Sequence, residues 1–119
     1  MAYIIDLPTF SDERGSLTVI ENILPFDVKR FYYIYNALAK RGGHRHKKNI
    51  QAMVCLSGSC EVYVNTRGDE EIFSLNEPDK CLILNPEDWH IMDKFSESAT
   101  LLVFASEFYN SDDYIDEPY

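Results

Sequence analysis

The sequence predicts an all-β single domain, a sandwich or a double-sheet jelly roll. Three observations carry this. Apolar and polar residues alternate with period two in short runs, turn residues separate those runs at regular intervals, and no segment keeps a helical period for three turns. About ten short strands follow from the pattern, which favours two packed sheets. A chain of 119 residues, 45% of them hydrophobic, buries one core and is short for a second. Residues 1–119 are therefore read as one domain with no linker or repeat.

The elements follow in order. "LTVIE" and "KRFYYIY" alternate before the histidine-bearing "RGGHRH", and "QAMVCL" and "CEVYVN" flank a turn at Gly58. "NTRGDEE" around Arg67 and Gly68 is a hairpin turn leading to "EIFSL". The proline-marked loops "LNEPDK" and "LNPEDW" bracket "CLIL", and "TLLVFA" is the last clear strand. The tail, residues 107–119, is too polar for a strand and is expected to pack as a short helical or irregular flap.

Composition removes several function classes. Apolar runs such as "LLVFA" fall far below the roughly 18 residues of a spanning helix. The N-terminal "MAYIIDLPTFSDER" lacks a basic start and meets Asp6 and Pro8 early, unlike a signal peptide. No membrane partner and a cytoplasmic location are expected. Cys55, Cys60 and Cys81 have no CxxC spacing and suit reduced, buried thiols. A net charge of -9 argues against nucleic acid as a partner. The basic residues nevertheless cluster: Lys40, Arg41, Arg45, Lys47 and Lys48 lie within nine positions, which implies a small anionic ligand.

His44 and His46 sit one residue apart inside that basic island. On a strand, residues i and i+2 share a face, so the two imidazoles are presented together with Arg45 turned away. Such a pair either holds a metal or moves protons. "GGHRH", Gln51 and Gly58, followed later by "NPEDWH", resemble the two motifs of the cupins, whose fold is a double-stranded β-helix of jelly-roll type. Metal-binding cupins place a carboxylate where this chain has Gln51, and a neutral amide is a poor ligand. A site of His44, His46 and His90 for zinc or iron is the minority reading. Without a metal the imidazoles suit proton transfer, since their unperturbed pKa of about 6.5 lets them take and return a proton near neutrality. Hydrogen abstraction beside a carbonyl is the chemistry that needs this, with the enediolate oxygen stabilised by Arg41 or a tyrosine hydroxyl.

"KRFYYIYN", "RGGHRHKKNIQAMVCLSGSCEV" and "NPEDWHIMDKFSESATLLVFASEFYNSDDY" resemble the cupin 3,4-ketoisomerases that act on dTDP-4-keto-6-deoxyglucose, over nearly the whole chain from "DERGSLTVIE". The resemblance implies a homodimer that needs no metal or other cofactor and serves the making of unusual deoxy or amino deoxy sugars. It makes His46 the base between C3 and C4, with His44 and a tyrosine relaying protons between the two oxygens. Tyr33 is chosen for that tyrosine and Tyr32 is the alternative; strand parity lets only one of them line the pocket. Arg14 matches an arginine used near the diphosphate, and Arg41 suits diphosphate or sugar oxygens. Lys47 or Lys48 adds attraction. Gln51 and His90 are expected in the pocket as substrate contacts, with Trp89 as packing that orients His90. Two alternatives stand beside this reading. One is a non-catalytic sugar-nucleotide or metal-binding cupin. The other is a 3,5-epimerase of the kind that uses a His and Asp pair, although no partner carboxylate is evident in the sequence.

Overall fold

A computed structural model describes residues 1–119. The strands are β1 (Tyr3–Asp6), β2 (Thr9–Asp12), β3 (Gly15–Thr18), β4 (Arg30–Tyr35), β5 (Arg41–His46), β6 (Gln51–Ser57), β7 (Cys60–Thr66), β8 (Asp69–Leu75), β9 (Lys80–Leu84), β10 (Trp89–Asp93), β11 (Thr100–Ala105) and β12 (Tyr114–Ile115). One five-stranded sheet runs β1-β9-β6-β11-β4 and faces a second ordered β12-β5-β10-β7-β8. β2 and β3 form a separate hairpin. The expected two-sheet architecture is present, with twelve strands rather than about ten. The surplus comes from short N-terminal strands and from β12, built from the tail.

Alternation explains which face each strand buries. In β7 the residues Cys60, Val62, Val64 and Thr66 point inward, and β10 and β11 alternate in the same way. β6 is buried on both faces: Met53 and Cys55 enter the core between the sheets. Ala52 and Val54 meet a second cluster, packed by Ile20, Ile23, Leu24 and Phe26. Burying the larger of these side chains, Met53 and Val54, contributes about 1.5–3 kcal/mol each relative to exposure. The β7–β8 turn takes its hairpin form because Arg67 and Gly68 both adopt positive φ, 53° and 97°.

The same alternation aims polar residues at one end of the inter-sheet space. Inward positions of β4 carry Arg30 and Tyr32 before apolar Ile34; those of β6 carry Gln51 before Met53. Across from them β5 and β10 place His44 beside His90 in register. Gly42 lets these two strands meet: its φ is +96°, and a Cβ there would stand 2.9 Å from the His90 carbonyl oxygen.

Two further devices fix the histidine strands. Asp88, fully buried, accepts hydrogen bonds from the Thr66 hydroxyl (2.6 Å) and the Asn85 amide (2.8 Å), which locks the turn ahead of His90. Trp89 does not serve as the support expected for His90. Its ring packs edge-on against Tyr63, and its Nε1 donates to the Asp116 carbonyl at 2.8 Å, so it anchors the tail.

Candidate active site

The three histidines converge. The His44 ring centre lies 5.1 Å from those of His46 and His90, and His46 and His90 stack at 6.2 Å. A cavity of about 230 Å³ beside them is lined by Arg30, Tyr32, Arg41, His44, Gln51 and Tyr114 among others. Tyr114 packs edge-on against both His44 and His46, at 4.7 and 4.6 Å between ring centres.

Hydrogen bonding sets the tautomers. His46 is 4% exposed and its Nδ1 lies 3.0 Å from a carboxylate oxygen of Asp113. An ionised carboxylate only accepts, so Nδ1 carries the proton and Nε2 keeps its lone pair. Asp113 is itself held by the backbone amides of Lys48 (2.8 Å) and Asn49 (3.3 Å), while its carbonyl accepts from the Lys47 amide (2.9 Å). Nδ1 of His90 donates to the Asp88 carbonyl at 3.0 Å, with the same consequence for its Nε2. Both Nε2 atoms are buried with no partner in the chain. Two acceptor lone pairs therefore await a proton donor inside the protein.

Burial keeps these imidazoles neutral. It is the main cause that lowers the His46 pKa; the Asp113 hydrogen bond opposes it, and the Arg30 charge lowers it further. His44 falls to about 4 through burial and the neighbouring His46. His90 falls to about 3, again chiefly by burial. Opposite them the Tyr32 hydroxyl is raised, by burial first and then by Tyr114, so it stays protonated. It accepts from Gln51 Nε2 at 3.1 Å, which leaves its own proton free to donate. Neutral bases on one wall and a phenol on the other are the parts a proton relay needs.

Most residues expected here assemble, with clear exceptions. His44, Gln51 and Tyr32 line the cavity, His46 and His90 pack against His44 beside it, and Arg41 stands at its exposed margin. Tyr33 does not belong. It is 59% exposed on the outer face of β4, 5.7 Å from the Tyr35 ring, because strand alternation turns it away once Tyr32 points inward. Arg14 lies on the β2–β3 hairpin, with its side chain 85% exposed and paired with Asp12 at 2.6 Å, and lines a separate depression with Phe10 and Leu17. Lys48 is exposed and contributes its backbone amide.

Three contributors escape the sequence reading. Asp113 overturns the expectation that the histidines have no carboxylate partner; it is 67 residues from His46 in an acidic tail, where nothing local distinguishes it. Tyr114 comes from the same tail. Arg30 was detectable, since it precedes Tyr32 by two positions and so shares its face.

The three histidines also present nitrogen atoms within 4.8 Å of one another, the one cluster placed to hold a transition metal. A carboxylate or carbonyl behind each of His46 and His90 suits metal ligation as well as proton transfer. The position that would carry an anionic ligand is Gln51, which is engaged with Tyr32.

The depressed histidines predict how stability changes with pH. Below about pH 6.5 the unfolded chain binds protons that the folded chain refuses, so stability is complete above that value and is lost as pH falls toward 3, the folded value for His90. His90 alone contributes a slope of up to about 1.4 kcal/mol per pH unit. Urea midpoints measured between pH 6.5 and 5, above the carboxylate range, should fall with acid, and His90→Asn should flatten the trend. A midpoint independent of pH would count against neutral buried histidines.

Known proteins share this architecture. The family described as "FdtA: WxcM-like, C-terminal" matches residues 1–119. The TDP-4-oxo-6-deoxy-α-D-glucose-3,4-oxoisomerase of Aneurinibacillus thermoaerophilus is 39% identical over 116 residues, covering 94% of this chain and 84% of that protein. The fold superposes with a TM-score of 0.93 on a point mutant of the 3,4-ketoisomerase QdtA from Thermoanaerobacterium thermosaccharolyticum, in complex with TDP-4-keto-6-deoxyglucose; identity is 39%, over 98% of this chain and 87% of that one. The TDP-quinovose 3,4-ketoisomerase WlaRB from Campylobacter jejuni gives 0.92 at 39% identity, over 98% and 92% of the two chains. The expected jelly-roll class of the sugar-nucleotide cupins holds, and the chain belongs to the FdtA family.

Proposed function

We propose that this protein is a dTDP-4-keto-6-deoxy-D-glucose 3,4-ketoisomerase. The observation that carries the reading is the buried, unpartnered His46 Nε2, backed by Asp113 and packed against His44 of a cavity that Tyr32 also lines, in a chain whose relatives are TDP-sugar 3,4-ketoisomerases. His46 Nε2 takes the hydrogen from C3, and the electron pair moves through C3 and C4 to leave an enediolate with its charge on O4. Tyr32 protonates O4 and His44 takes the proton from O3, so that the ketone forms at C3 as His46 returns its proton to C4; the proton held by His44 then passes back to the Tyr32 phenolate, which resets both groups. One proton leaves carbon and one returns; nothing is oxidised overall. His90 Nε2 accepts from a sugar hydroxyl, and Gln51 holds Tyr32 in place. Arg41 meets the diphosphate at the cavity margin.

No cofactor is required by this scheme, because imidazole and phenol carry every proton. A cytoplasmic location belongs to the same reading and is supported by three buried free thiols. So does a homodimer. β4 is an edge strand of its sheet and exposes Phe31, Tyr33 and Tyr35, an aromatic row that a second copy would cover. The His46–Asp113 pair also suits epimerisation at C3 or C5, which makes that the second reading to test.

Three outcomes are expected. Chelator-treated protein mixed with dTDP-4-keto-6-deoxyglucose in deuterium oxide should give, by proton NMR, a 3-keto species, with deuterium at C4 wherever the proton on His46 exchanges with solvent before it is returned, and His46→Asn should abolish it. Exchange at C3 or C5 without a 3-keto product would mark an epimerase, and activity restored only by added zinc or iron would replace the metal-free scheme.

Asp113→Asn should lower kcat by about 10²-fold or more, since the amide no longer enforces the Nδ1–H tautomer. Because Asp113 raises the His46 pKa, its loss should also move the acid limb of kcat/KM to lower pH. Asp113→Glu should recover part of the rate; a variant that merely weakens folding would instead lower the melting temperature with kcat kept.

Sedimentation equilibrium should return twice the chain mass, and Tyr33→Glu should shift the protein toward monomer. A wild-type monomer at micromolar concentration would remove the dimer.

A further inference from the structure

Arg30 is a charge without a counterion beside the reacting groups. It occupies an inward position of β4 and lines the cavity. Its guanidinium carbon lies 5.4 Å from the centre of the Tyr32 ring and 5.6 Å from that of Tyr109. None of the chain's ion pairs includes it, and its Nε is buried with no hydrogen-bond partner. Tyrosine faces repay part of the desolvation of a cation, by about 0.5–2 kcal/mol each. They leave the planar edge of the guanidinium, where all five N–H donors lie, without a matching acceptor. A partly buried charge whose Nε is buried without an acceptor is placed to receive an anion.

We infer that Arg30 supplies the oxyanion contact of the reaction, its guanidinium edge donating to the enediolate oxygen that becomes negative when the C3 hydrogen leaves. The assignment rests on the ketoisomerase reading and deepens it. Arg30 keeps its own protons throughout; it stabilises the charge on O4 until Tyr32 protonates that oxygen. Its position favours this over a diphosphate role. Both arginines act on the Tyr32 hydroxyl, but Arg30 alone stacks on the Tyr32 ring and acts on the His46 ring as well. Arg41, exposed at the start of β5, stands where a diphosphate reaching out to solvent would pass. A contact that strengthens as charge develops raises kcat rather than affinity.

The test compares wild type, Arg30→Gln and Arg30→Lys in turnover of dTDP-4-keto-6-deoxyglucose, in calorimetric binding of TDP and in thermal melting. Arg30→Gln should lose about 10²-fold in kcat, the size of one oxyanion donor, with TDP affinity within about threefold of wild type. Arg30→Lys, which keeps the charge but not the fork, should recover part of that loss. Removing the charge should also shift the acid limb of kcat/KM to higher pH, because Arg30 lowers the His46 pKa. An unchanged kcat in Arg30→Gln overturns the assignment, and so does a loss confined to TDP affinity, which would make Arg30 a diphosphate clamp. If Arg30→Gln does not melt cooperatively, Arg30→Lys decides alone: a drop of about tenfold or more with TDP binding kept supports the contact, and unchanged turnover removes it. Wild type inert toward the 4-keto sugar overturns the ketoisomerase reading itself; only an active wild type with an active Arg30→Gln variant singles out the arginine.

Discussion

Everything at the polar end of this barrel depends on one hydrogen bond, from His46 Nδ1 to Asp113. Buried imidazole nitrogens need hydrogen-bond partners, and the partner each one finds decides where the other keeps its lone pair. Pairing Nδ1 with a carboxylate decides which nitrogen keeps a lone pair, and burial keeps that nitrogen unprotonated. The same carboxylate accepts from two backbone amides and so stitches the loop after β5 to the tail. The chemistry of the site and the placement of the C-terminal segment are thus one structural problem with one solution.

Electrostatics reinforce this division. The protein as a whole is acidic, with a net charge of -9, yet the cavity wall carries Arg30 and Arg41. An acidic exterior discourages polyanions that would bind along a surface, whereas an arginine set inside a cavity selects an anion small enough to enter. Arg30 and Asp113 act on His46 in opposite senses, one lowering and one raising its pKa. The base is therefore tuned by a balance of two charges from opposite sides of the inter-sheet space, not by burial alone.

How much of this could be read in the sequence follows from the range of each signal. Strand alternation is local, and it located both sheets, the HxH face and the inward course of β6 through Gln51. Register across strands is not local, and the close pairing of His44 with His90 arises only once Gly42 allows it. The choice between Tyr32 and Tyr33 needed the direction of one strand, which alternation leaves open by a single residue. Asp113 was out of reach because a carboxylate among acidic residues has no distinguishing pattern; its identity comes from contacts 64 to 67 residues away. Arg14 shows a different limit, since family resemblance alone suggested a role near the diphosphate, and a single chain shows it only on an exposed hairpin, against Asp12.

The tail has a consequence for the order in which the site comes into being. Arg30, Tyr32, Gln51 and all three histidines precede position 113, so synthesis delivers the walls of the cavity before the group that orients its base. Trp89 and Arg45 then receive the tail through the carbonyls of Asp116 and Glu117. A nascent barrel can close around a His46 whose tautomer is still unset, and docking of one short turn, Ser111–Asp113, is the event that gives it its direction.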